Sequence, residues 1–112
     1  MAKQAAAPAV AAVADTPAAP AQQTLVLPTE LTHAQAQACL RMLTQGLHPG
    51  PLPVVADASA LASFDSSALA VLLACRREAL SLGRAFTVRG LHPRLAGLAR
   101  LYGIAELLPA QG

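Results

Sequence analysis

The sequence predicts a small α/β domain, a mixed β-sheet of short strands covered by three to four helices. Two observations carry that reading. Short, β-rich apolar bursts alternate with longer stretches of helical periodicity, in the order strand, helix, strand, helix, strand, helix. The middle burst, "LPVVADA" (52–58), shows no polar alternation, which marks a strand buried on both faces.

The elements follow in chain order. Residues 1–23, "MAKQAAAPAVAAVADTPAAPAQQ", are low-complexity Ala, Pro and Gln and read as a disordered tail ahead of a domain over 24–109. A secretory signal would need a positive start and an unbroken apolar core. Here a single Lys precedes a tract interrupted by Pro8, Asp15, Pro17 and Pro20. "TLVL" (24–27) is a strand stopped by Pro28. Thr32 and Gln35 form a T-x-x-Q capping box, and Ala36, Cys39, Leu40, Leu43 and Leu47 follow as an apolar stripe that should end near Gly46. After the strand in 52–58, "SALASF" is a loop. The central helix should run from about Ser66 to Leu82, with Gly83 just past its end. "RAFTVRG" (84–90) is a further strand, Pro93 fits the first turn of a last helix bearing Leu95, Leu98, Ala99 and Tyr102, and "IAELLP" packs the end.

Composition narrows the function. The chain has 112 residues and a net charge of +2, but six of its eight Lys and Arg residues lie from Arg76 onward, against Glu78 and Glu106. These arginines read as solvated helix-surface charges. Only Phe64, Phe86 and Tyr102 are aromatic, at no spacing that would stack bases, so nucleic acid is not expected as a partner. Cys39 and Cys75 stand alone in apolar helical patterns and read as buried small hydrophobes in a reducing compartment. No run approaches the ~20 apolar residues that span a bilayer. No metal-ligand cluster, Walker A or GxGxxG is present, so no cofactor and no metal are expected. The expectation is a cytoplasmic protein without direct membrane insertion.

The chemistry concentrates at "SFDSSALAVLLAC" (63–75), where a carboxylate and two hydroxyls precede a very apolar helix. Asp65 is a favoured N-cap residue, which places Ser66 and Ser67 in the first turn. A helix N-terminus offers free N–H donors and partial positive charge. It would stabilise a phosphate on Ser66, although Asp65 beside it would repel one. "ALAVLLAC" is apolar all round, so surplus surface near Ser66 is covered either by neighbouring helices or by a partner. A serine nucleophile would need a base, and none of His33, His48 and His92 is placed by sequence beside Ser66 or Ser67. No enzymatic activity is expected. If a partner covers that surface, Asp65, Ser66, Ser67 and Leu69 are the candidate partner-binding residues, with Ser66 a candidate phosphorylation site. Arg94, Tyr102 and Ser59 read more simply as solvated charge, core aromatic and loop cap.

The motifs in 54–109 resemble a STAS domain, the fold of anti-sigma-factor antagonists and sulfate-transporter tails. They are Asp57-Ala58-Ser59, Asp65-Ser66-Ser67-Ala68-Leu69, Leu72-Leu73, Gly83, Gly90 and Leu101-Tyr102-Gly103-Ile104. "LVLPTELT" matches the family's approach to its first helix, so the resemblance covers 24–109. Within the family, "LARLYGIAELLP" is most similar to the STAS subunit of the Mla phospholipid-transport ABC complex. That resemblance implies a non-catalytic accessory subunit of a transporter that maintains outer-membrane lipid asymmetry. It would bind the cytoplasmic ATPase and, through it, the inner-membrane permease, so that it is peripheral to that membrane. Ser66 matches the phosphorylated Ser of the sigma regulators, and a Thr at the ATPase interface in the Mla-type subunit. The alternative is an anti-sigma-factor antagonist switched by phosphorylation of Ser66. Two residues depart from the family pattern. Ala68 stands where Gly is usual, which argues against close approach of a kinase or anti-sigma partner. Pro28 also replaces a Gly, and the family's N-terminal strand is either within the tail or missing.

Overall fold

The computed structural model describes residues 22–111. Strand β1 (Gln23–Val26) leads through a short strand β2 (Glu30–Leu31) into helix α1 (His33–Thr44). Strand β3 (Val54–Asp57) and a second short strand, β4 (Ser63–Phe64), precede α2 (Ser67–Ser81). Strand β5 (Phe86–Arg89), α3 (Pro93–Leu101) and a 3-10 turn (Ala105–Leu107) complete the fold. The predicted α/β class and helical cover are present. The tail expected over 1–23 lies outside the described residues except for its last two. Gln23 opens β1, and Gln22 accepts a hydrogen bond from the side-chain amide of Gln111 at 2.6 Å.

The main sheet has the order β1-β3-β5, with Gln23 opposite Val54 and Val54 opposite Phe86. Every pairing among the described residues is parallel, because each link between paired strands contains a helix that returns the chain to the same end. Central β3 is buried on both faces, as its unbroken Val-Val-Ala run requires, whereas β1 buries Leu25 and exposes Thr24 and Val26. One core joins Leu25, Val54, Ala56, Phe86 and Val88 to Cys39 and Leu43 of α1, Leu72 and Cys75 of α2, and Leu95 of α3. Both cysteines are buried and free, and burial pushes the Cys75 thiol up to about 12.

The helix ends obey local chemistry. Gln35 reaches back to accept the Thr32 N–H at 2.8 Å, which is its half of the expected capping box. Gly83, at φ +77°, closes α2, and the Arg84 N–H then returns to the Ala79 carbonyl at 2.9 Å.

Two features depart from the sequence reading. The segment read as the loop "SALASF" contains β4, which pairs with β2 through Glu30–Ser63 and Leu31–Phe64. Two-residue strands are too short to show periodicity. Arg84, expected to be solvated, is only 5% exposed. Its Nε donates to the Leu52 carbonyl at 2.6 Å and its Nη1 to Gln23 Oε1 at 2.6 Å, tying β1 and the segment before β3 to β5. Hydrogen bonds to a carbonyl and an amide oxygen meet the demand of a buried guanidinium for acceptors.

At the carboxyl ends of β3 and β5, Asp57 accepts hydrogen bonds from the Ser59 hydroxyl at 2.6 Å, the Ser59 N–H at 3.0 Å and Arg89 Nη2 at 3.0 Å. Ser59 thus caps the loop as expected. These bonds, led by the Ser59 hydroxyl, lower the Asp57 carboxyl to about 2. A carboxyl with a depressed folded-state pKa adds stability above its unfolded value, and that stability is lost as pH falls through the folded value. Wild type should therefore be more stable than Asp57→Asn near neutrality, with the difference vanishing between 3.8 and about 2. Urea unfolding of both proteins across that window checks it.

Candidate functional site

Asp65 organises the site. Its Oδ1 accepts the Ser67 N–H at 2.8 Å, capping α2 as expected, while its Oδ2 accepts the His33 N–H at 3.1 Å. One carboxylate therefore satisfies the first turns of two helices and ties the α1 and α2 N-termini together. These N–H donors, Ser67 first, hold the Asp65 carboxyl below its usual range. Sequence reasoning supplied the local cap and missed the contact to His33, which lies 32 positions away in the chain. Asp65→Ala should lower the urea midpoint of unfolding, and exchange of the first-turn amides of both α1 and α2 should accelerate.

Ser66 follows in helical conformation, with φ −63° and ψ −16°. It is exposed, and among the described residues its hydroxyl has no hydrogen-bond partner. Ser67 is half-buried. Leu69, one turn further on, is instead 2% exposed and belongs to the core. The structure thus groups Asp65, Ser66 and Ser67 at one edge and places Leu69 beneath them.

Ala68 is fully buried in the same core. The methyl group that departs from the family pattern therefore packs inward, and it does not obstruct the surface beside Ser66.

Two apolar grooves flank this edge. One, of about 420 Å³, lies between α1 and α2 and is lined by His33, Ala34, Ala36, Gln37, Leu40, Ala70 and Val71. The second, of about 400 Å³, is lined by Phe64, Asp65, Arg94, Gly97, Leu98 and Leu101. Most of the all-round apolar surface of α2 is covered by its neighbours: Ala68, Leu69, Val71, Leu72, Cys75 and Ala79 are buried, whereas Ala70 stays exposed in the first groove.

The second groove has an ordered rim. His92, at the N-cap of α3, accepts the Arg94 N–H on Nδ1 at 3.0 Å and packs against Phe64 with ring centroids 5.1 Å apart. The Arg94 guanidinium lies 5.0 Å from the Phe64 ring centroid. This cap was not legible in the sequence, because His is an uncommon cap residue and Phe64 is distant in the chain. Tyr102, read as a core aromatic, is instead 55% exposed, and Leu101 beside it is 77% exposed.

His33 lies next to the site but meets Asp65 through its backbone. Among the described residues, no group of His, Cys, Asp and Glu could hold a metal ion, and no helix is long and apolar enough to cross a membrane.

Comparison with known families matches residues 14–109 to the family described as "Mlab, STAS domain". The match takes in every strand and helix described above and extends nine residues ahead of β1. No curated protein matches the chain. The family match spans most of the chain, and the chain belongs to the Mlab-type STAS family.

Proposed function

From that membership, we propose that this STAS domain is a non-catalytic accessory subunit. It binds the cytoplasmic ATPase of an ABC phospholipid transporter and, through it, the inner-membrane permease. In this role it is cytoplasmic, peripheral to the inner membrane, and serves outer-membrane lipid asymmetry. The observation that carries the reading is the exposed, unbonded Ser66 hydroxyl on a helix start fixed by Asp65, with an apolar groove on either side. A docking face needs a rigid polar centre within apolar contact area, and this edge supplies both. Asp65, Ser66 and Ser67 form the contact, and Leu69 supports it from the core.

The test is co-purification of tagged protein from gently solubilised membranes. Wild type should bring down an ABC ATPase with its permease. Ser66→Arg should lose both, at least tenfold in recovered partner, while remaining folded. A cation at a helix N-terminus opposes the helix dipole by about 0.3–1 kcal/mol, too little to unfold the domain. Recovery of a soluble kinase-like anti-sigma factor without a permease would overturn the reading.

The exposure of the Ser66 hydroxyl also favours the second reading, a partner switch controlled by phosphorylation. Among the described residues nothing covers that oxygen, and Ala68 is no obstacle. Under this reading Ser66→Asp abolishes binding of an anti-sigma factor, whereas Ser66→Ala binds it constitutively.

A further inference from the structure

The two edges of the main sheet are finished differently. The β5 edge is covered by the chain's own end: the Val88 N–H donates to the Pro109 carbonyl at 2.8 Å, and the Gln111 N–H donates to the Val88 carbonyl at 2.9 Å. The β1 edge has no such cover among the described residues, where β1 pairs with β3 alone. The Gln23 N–H donates to the Pro53 carbonyl at 2.9 Å and the Leu27 N–H to the Asp57 carbonyl at 3.0 Å. Alternate residues of a strand turn their backbone groups to opposite sides, so Thr24 and Val26 present theirs outward.

An open edge is a template for another strand, and folded proteins usually blunt it with charge, proline or a bulge. Gln23–Val26 carries none of these, and its register with β3 is continuous. Val26 is 60% exposed there, beside exposed Thr24. The segment ahead of β1 is a poor occupant, because Pro17 and Pro20 stand at odd and even positions. In any continuous register one of them would turn a missing N–H toward β1. No residue of β1 lines either groove beside Ser66.

A second copy of the same edge fits it. With two copies antiparallel about a two-fold axis at Leu25, Thr24 of each stands opposite Val26 of the other. Both residues present their backbone outward, so each such pair exchanges both of its N–H···O=C bonds, and the two Leu25 residues meet in the non-hydrogen-bonded position between them. Thr24 then covers part of Val26, a cross-strand pair of two β-branched residues without charge. We propose that β1 is a self-association edge, through which two copies of this chain join their sheets in antiparallel register about Leu25. So short a ladder buries less than the roughly 1,200–2,000 Å² of a stable interface, so the dimer is a weak one, with Kd on the order of 10–100 μM.

The test is sedimentation velocity of the full chain from about 5 to about 500 μM, with amide hydrogen exchange read at both ends of that range. The 11.4 kDa chain should pass to twice that mass. Exchange of the Thr24 and Val26 amides should slow with concentration, whereas the Gln23 and Leu27 amides, already bonded toward β3, should not change. Thr24→Lys with Val26→Lys sets like charges opposite each other and should weaken self-association by roughly tenfold or more. Thr24→Glu with Val26→Lys sets opposite charges in the same register and should dimerise at least as well as wild type. Both double variants alter exposed side chains only, so far-UV circular dichroism should report an unchanged fold. Ser66→Arg should dimerise like wild type, so failure of this edge and failure of the ATPase reading are distinguishable. The proposal is overturned by a monomer at every concentration, by a dimer that survives the paired lysines, or by a Glu–Lys variant that stays monomeric. It is also overturned if protection of Thr24 and Val26 is independent of concentration, which would indicate that another part of the chain covers the edge.

Discussion

Leu72→Ala is expected to remove about 2–5 kcal/mol of folding stability, the cost typical of emptying a fully buried leucine site. Leu72 is 0% exposed near the middle of α2, in the cluster that joins Val54 and Ala56 of β3 to Cys39 and Leu43 of α1 and Leu95 of α3. Close-packed neighbours relax only partly into such a cavity. Small domains hold only about 5–15 kcal/mol in total, so the variant should be partly unfolded at physiological temperature. Urea denaturation should show a lower midpoint with an unchanged slope. Leu80→Ala, on the same helix but exposed, should stay within about 0.5 kcal/mol of wild type.

Gly90→Ala is the second large effect. Gly90 has φ +70°, where an L side chain costs about 1–2 kcal/mol. A Cβ there would also lie 2.8 Å from the Ser59 Cβ and 3.0 Å from its Cα. Ser59 cannot easily retreat, because Asp57 binds both its N–H and its hydroxyl, and Asp57 is in turn held by Arg89 next to Gly90. With overpacking of about 1–3 kcal/mol added, the expected loss is about 2–5 kcal/mol. Ser59→Gly in the Gly90→Ala background should recover part of the overpacking and none of the backbone strain. Gly83→Ala gives the comparison: its φ is +77° but no atom lies within 4 Å of the added Cβ, so only the backbone cost of about 1–2 kcal/mol should appear.

These two positions mark how far the sequence was legible. Elements with a period were readable. The stripe of α1 with its capping box, the two-faced burial of Val54–Ala56 and the glycine stop of α2 follow from local chemistry, and the structure has them. Contacts between distant segments were not. Gly90 could be recognised as a motif glycine, but its need for space beside Ser59 arises only when β3 and β5 pair. Arg84 resembles any surface arginine until the pairing of β1, β3 and β5 encloses it. At the candidate site, Asp65 was legible as a cap of its own helix, yet its second role at His33 depends on how α1 docks. Leu69 belongs to the same motif, but its side chain is buried in the core. His92 and Arg94 meet Phe64 on β4, a strand too short to leave a pattern.

The central claim is that the Asp65–Ser66–Ser67 edge contacts an ABC transporter ATPase. Photo-crosslinking in living cells from residues flanking that edge tests it most directly. A crosslinking side chain at exposed Ala62 or Ala70 borders Ser66 without replacing it, and one at exposed Leu80 marks the far end of α2. The account predicts that Ala62 and Ala70 capture the ATPase subunit of an ABC transporter, that Leu80 does not, and that Ser66→Arg abolishes the capture. Crosslinks from Leu80 alone, or from Ala62 and Ala70 to an anti-sigma kinase, would contradict it.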